Sequence, residues 1–154
     1  CLSPANFDRP SVAGTAIAAH EVGHAIQHQQ GYAFLRFRTA LVPLANIGSS
    51  LSYIVIMAGI FLTALGSAFG STALWIGAGL MSLAVLFSIV TLPVEFDASS
   101  RAMKQITALN IVNEKEYKHA RKVLSAAAMT YVAATATAVA ELVRIILLAR
   151  ANDN

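Results

Sequence analysis

The sequence predicts an all-α, polytopic membrane protein, and three observations carry that prediction. Apolar residues make up 56% of the 154-residue chain and charged residues only 12%, about half the roughly 25% expected of a soluble domain. Mean hydropathy is +0.62. Two long runs, 51–69 and 73–92, contain no charged residue. No alternation of strand type and no internal repeat accompanies them, and the length suits a single domain over 1–154. The net charge of +3 fits loop charge that orients a membrane protein. No Lys/Arg-rich run with interleaved aromatics is present, so no nucleic-acid partner is expected. The one cysteine, Cys1, excludes an internal disulfide. The chain does not open on Met, and Cys1-Leu2-Ser3-Pro4 is no signal peptide. A preceding segment of a longer protein is therefore expected.

Taken in order, residues 1–10 should be irregular, because Pro4 and Pro10 limit helix. Ser11 can cap a helix over 11–30, and Gly31 offers its stop. Gln27, His28, Gln29 and Gln30 make this helix too polar to span lipid. Residues 32–50 are mixed, with Arg36, Arg38 and Pro43. The run 51–69 rises about 28 Å as a helix, matching a hydrocarbon core of about 30 Å. Gly70, Ser71 and Thr72 should form an uncharged turn before the second run, so that the two make a transmembrane hairpin. Gly66 and Gly70, four apart, would allow close helix approach there, although glycine is common in membrane helices generally. Pro93 should end or kink the second span. Residues 94–109 read as an amphipathic helix with Glu95, Asp97, Arg101 and Lys104. Asn113 and Glu116 form a capping box for a last helix. Its run 123–148 reads as a third span that carries Glu141 and Arg144, which should pair and turn inward.

The chemistry lies in His20-Glu21-Val22-Gly23-His24, an HExxH pentapeptide inside the first helix. Positions i and i+4 differ by about 40° in azimuth and 6 Å in rise, so both imidazoles can converge on one ion. Zinc suits such donors. It would lower the pKa of a bound water from about 15.7 towards 7. Glu21 beside them would act as general base and then return the proton to the leaving amine. The alternative is a helix whose histidines are satisfied by hydrogen bonds alone. Small and apolar flanks (Ala18, Ala19, Val22, Ala25, Ile26) place the pair on a buried face, where polar groups need partners.

A hydrolytic zinc site takes three protein ligands. His28 lies eight residues beyond His20, about 12 Å along the axis, too far to share its ion. His119 sits among Lys118, Arg121 and Lys122, as a solvated residue would. Glu95 and Asp97 remain, and about 200° of helix separates them, so only one can face the metal. Asp97 has a ready ion-pair partner four residues on, Arg101, whereas Glu95 has Ser99 there. Glu95 is the expected third ligand. Tyr131, a polar ring in an Ala/Thr-rich stretch, could donate a hydrogen bond to a developing oxyanion or could equally be an interface-belt tyrosine.

Ala18-Ala19-His20-Glu21-Val22-Gly23-His24-Ala25-Ile26-Gln27-His28 resembles the signature of the YugP-like neutral zinc metallopeptidases. The resemblance extends, in order and spacing, to Leu41-Val42-Pro43, to Leu92-Pro93-Val94-Glu95-Phe96-Asp97-Ala98-Ser99 and to Thr130-Tyr131-Val132-Ala133. It covers nearly the whole chain. It implies a bacterial membrane-bound peptidase of glutamate-zincin plan, with His20, His24 and Glu95 as zinc ligands and Glu21 as acid/base. Related glutamate-zincins often carry an aspartate four residues after the ligand glutamate; this chain has Ser99 there. Family members also carry a membrane segment ahead of this region.

The expected function is thus a membrane-bound zinc endopeptidase acting on a membrane-associated polypeptide, embedded in the lipid bilayer of the bacterial inner membrane. A site-2-type intramembrane protease is a rival, but no Leu-Asp-Gly occurs and the HExxH helix is too polar to span. A non-catalytic scaffold or metal-handling protein is the rival from another class. Substrate identity and oligomeric state are not legible. Nine of the eleven basic residues flank the two uncharged spans on one side (Arg9, Arg36, Arg38, Arg101, Lys104, Lys115, Lys118, Arg121 and Lys122). The site should therefore face the cytoplasm.

Overall fold

The computed structural model describes residues 11–153, and the irregular segment expected over 1–10 lies outside them. Four helices and no strand are found among the described residues: α1 (Val12–Gln29), α2 (Ala33–Ala64), α3 (Phe69–Ala108) and α4 (Glu114–Ala151). The all-α class is as the sequence predicts. Three of the four, α2, α3 and α4, are long and apolar enough to cross a membrane. Large apolar side chains such as Ile54, Met57 and Phe61 lie about two-thirds exposed (67%, 64% and 64%), an arrangement that water penalises and hydrocarbon does not.

The ends of the helices follow local chemistry. Ser11 caps α1, its hydroxyl accepting from the Gly14 N–H at 3.0 Å. Beyond α1, Gly31 takes φ +63°, the left-handed region that glycine enters without cost. At the start of α4, Asn113 Oδ1 accepts from the N–H groups of Lys115 and Glu116, both at 3.0 Å. The Glu116 carboxylate accepts from the Asn113 N–H at 2.9 Å, completing the predicted capping box.

Three local expectations are corrected. The turn of the hairpin lies at 65–68 rather than 70–72. Gly66 takes φ +73° and its N–H reaches the Thr63 carbonyl at 2.9 Å, so this glycine supplies the left-handed residue. Gly70 lies inside α3, where a Cβ would overlap Thr63. Pro93 does not end its helix, and Pro43 lies inside α2 in the same way. In hydrocarbon, a break would leave several backbone groups without partners, whereas a proline removes one hydrogen bond. Glu141 and Arg144 do pair, at 2.5 Å, but their side chains are 36% and 62% exposed instead of turned inward.

The helices contribute to two compact units. One comprises Cys1–Phe37 with Thr91–Val132, the other Arg38–Val90 with Ala133–Asn154. The core of the first is Ala16 and Ala19 of α1, Ala102 and Ile106 of α3, and Ala120 and Leu124 of α4. Four alanines among six residues keep the three helices close, and Ile106 and Leu124 contribute roughly 1.5–3 kcal/mol each by burial. The core of the second is Ile56, Leu74, Ala78, Met81, Ile145 and Ala149. In that unit Trp75 Nε1 donates to the Asp153 carboxylate at 2.8 Å.

Candidate metal centre

The first unit holds the residues that the sequence singled out. On α1, Ala16, Ala19, Gly23 and Gln27 form a buried stripe at three- and four-residue spacing. His20 and His24 border that stripe, one turn apart. On α3 a matching stripe runs through Val94, Glu95, Ala98, Ala102 and Ile106. The two helices touch at Gly23, where an added Cβ would overlap the Ala98 carbonyl oxygen and lie 3.1 Å from its carbon. Glycine at this position of the HExxH motif is thus a packing requirement. Gly23→Ala should destabilise the protein by about 1–3 kcal/mol, the usual cost of overpacking a tight contact. Thermal unfolding of the variant in detergent checks this, and an unchanged midpoint would refute the close approach.

That approach brings Glu95 to both histidines. Its Oε2 lies 3.2 Å from His20 Nε2 and 3.6 Å from His24 Nε2. One donor atom from each of the three lies within 4.8 Å of the others. The imidazole rings meet edge to face, with centroids 4.7 Å apart. The Glu95 side chain is only 3% exposed, against 17% and 23% for His20 and His24. Its carboxylate, more than burial opposes, holds the His24 imidazole above its ordinary pKa, and the Gln27 amide adds to the effect.

Each histidine is also held from behind. His24 Nδ1 donates to Gln27 Oε1 at 2.9 Å, which leaves Nε2, on the side of Glu95, as the nitrogen that can bind a metal. Gln27 is fully buried and fully engaged. Its Nε2 donates to the Val94 carbonyl and to Asp97 Oδ2, each at 2.8 Å. Asp97 accepts in turn from Arg101 Nε at 2.5 Å, the predicted ion pair. Ser99 Oγ lies 3.1 Å from His20 Nδ1.

The donor set fits zinc. Two neutral imidazoles and one carboxylate are the ligand set of a hydrolytic zinc site. Donors about 2.0–2.2 Å from a tetrahedral ion lie roughly 3.3 Å apart, close to the two distances from Glu95. A buried carboxylate with two imidazoles against it also needs compensating positive charge, which a divalent ion supplies. His20, His24 and Glu95 could therefore hold a metal ion.

Of the other candidates, Glu21 is exposed on α1 beside His20. Tyr131 of α4 lines a cavity of about 140 Å³ together with His20, Glu95, Ser99, Leu124 and Ala128. His28 is exposed and outside the cluster. His119 is exposed as well, and its Nδ1 contacts the Lys115 carbonyl of its own helix. Sequence reasoning missed Gln27, although its signal was present: seven residues after His20, it shares that residue's helix face.

A family model described as "Putative neutral zinc metallopeptidase" matches residues 1–150. The chain is 39% identical over 138 residues to a Bacillus subtilis (strain 168) protein named "Putative membrane protease YugP". The matched stretch covers 90% of this chain and 59% of that protein, so the chain spans about three-fifths of the relative's length. No solved structure matches it significantly. Three donors brought together from helices some 70 residues apart, and a family match that runs almost from end to end, lead to one conclusion: the chain belongs to this family of neutral zinc metallopeptidases.

Proposed function

We propose that this chain is the catalytic region of a membrane-embedded zinc endopeptidase whose substrate is a polypeptide at or within the membrane. The observation that carries this is the convergence of Glu95 with His20 and His24. The relative's name, a membrane protease, agrees with it. His20, His24 and Glu95 hold the ion in this scheme. Zinc, when bound, supplies a Lewis acid for the scissile carbonyl and acidifies water. Glu21 takes a proton from the attacking water and later delivers it to the leaving amine. Gln27 keeps His24 in the required tautomer, and Ser99 holds the orientation of His20. Tyr131, across the cavity, donates a hydrogen bond to the oxygen that gains charge in the transition state.

Metal removal tests this function. Purified protein in lipid nanodiscs should lose peptidase activity on treatment with a strong chelator and regain it with zinc. Tyr131→Phe should slow the same reaction by roughly 10²-fold, as loss of one oxyanion donor does, without lowering zinc content. Chelator-resistant hydrolysis would exclude a metal-dependent mechanism, and bound zinc without hydrolysis of any polypeptide would leave the scaffold or metal-handling alternative.

The positive-inside rule places the metal centre on the cytoplasmic face of the inner membrane. The turn at 65–68 carries no charge, while nine basic residues flank the spans it joins. In a Cys1→Ser background, a cysteine at position 115 should resist membrane-impermeant reagents in intact cells, and one at 67 should react. The opposite pattern would reverse the orientation.

A further inference from the structure

A second concavity in the first unit points to substrate selectivity. It is a groove of about 810 Å³ between the antiparallel segments 96–108 of α3 and 117–128 of α4. One end is lined by Ser99, Leu124 and Ala128, which also line the cavity containing His20, Glu95 and Tyr131. Further along, Lys104 and Arg121 enter from opposite helices. Both are exposed. Neither has a hydrogen-bond or ion-pair partner among the described residues. The carboxylate that acts on Lys104 electrostatically, Asp97, is itself taken up by Arg101 and Gln27. Phe96, Met103 and Leu124 add apolar lining to the groove.

This pattern fits an extended peptide with one anionic group. Lys104 lies nine residues beyond Glu95, about 13.5 Å along α3, and Arg121 lies ten residues before Tyr131, about 15 Å along α4. An extended chain advances roughly 3.3 Å per residue, so the cations stand about four residues from the reacting bond. Resting on the endopeptidase function above, we propose that the groove binds the substrate and that Lys104 and Arg121 select a carboxylate about four residues from the cleaved bond. That carboxylate belongs to an acidic side chain or to the substrate's C-terminus. An anionic lipid headgroup would also suit two cations, but continuity with the cavity at His20 and Glu95 favours the peptide.

The test uses the full-length, zinc-loaded protein in phosphatidylcholine nanodiscs, carrying Glu21→Gln so that peptide is held and not cut. Fluorescent Ala/Leu decapeptides are titrated: one neutral with an amidated end, one with a free C-terminus, and a set with a single aspartate at each position in turn. Aspartate at one or two positions, or the free C-terminus, should tighten binding about tenfold, and the arm that shows the gain identifies the carboxylate. Lys104→Gln with Arg121→Gln should abolish the gain and leave the neutral peptide unaffected. Lys104→Glu with Arg121→Glu should transfer the preference to peptides with lysine at the same positions. The proposal is overturned if no carboxylate tightens binding or if the gain survives both double variants. It is equally overturned if the double variants weaken binding only to phosphatidylglycerol vesicles. Because binding is read without turnover, these outcomes are separate from failure of hydrolysis, which would count against the endopeptidase function alone.

Discussion

Replacing Glu21 by glutamine should leave zinc bound and slow peptide hydrolysis by about 10²–10⁴-fold, the usual contribution of a positioned general base. Glu21 is not among the three residues whose donor atoms converge. It is exposed on α1, one residue from His20, so an isosteric amide should disturb neither the helix nor the contacts to Glu95. Glutamine offers no basic lone pair at neutral pH and no proton to return, so both proton transfers fail together while binding persists. Zinc content by mass spectrometry and peptidase rate, measured on the same preparation, separate the two effects. A wild-type rate in the variant would exclude Glu21 as the base, and zinc loss would mean that Glu21 belongs to the ligand set.

How much of this was legible in the sequence depended on the range of the interaction that decided it. His20 and His24 could be paired because helix periodicity alone sets their spacing. Glu95 could be preferred over Asp97 because Arg101, four residues on, already accounted for Asp97. The capping residues Ser11 and Asn113 act within one turn and were readable for that reason. The hairpin turn was not, because 65–72 offers two glycines and no charge to choose between them; backbone conformation settles on Gly66. Pro93 does not end its helix because the local rule for proline ignores the penalty for opening a helix in hydrocarbon. Periodicity puts Gln27 on the face of His20, but what it bonds was hidden for another reason. Its partners Val94 and Asp97 lie 67 and 70 residues away, and only the close passage at Gly23 and Ala98 brings them within reach.

Glu95→Gln should reduce zinc affinity by at least 100-fold, with a folded protein remaining. The carboxylate is the sole anionic donor in the cluster and is 3% exposed. The amide keeps its shape but loses the charge that attracts a divalent ion. Removing a buried charge carries little penalty for the metal-free fold, so helix content by circular dichroism should not change. His20→Ala and His24→Ala should also lower zinc occupancy. Gln27→Leu should weaken affinity less, by about 10–100-fold, as loss of a partner behind a ligand does. Asp97→Asn should have a small effect, since its amide oxygen can still accept from Gln27, and His28→Ala should have none. This ranking distinguishes a three-ligand centre from histidines satisfied by hydrogen bonds alone. In the latter case, zinc titrations would show weak binding in every variant and no dependence on Glu95. A structure with zinc on Asp97 or His28 and Glu95 turned away would refute the ligand set directly.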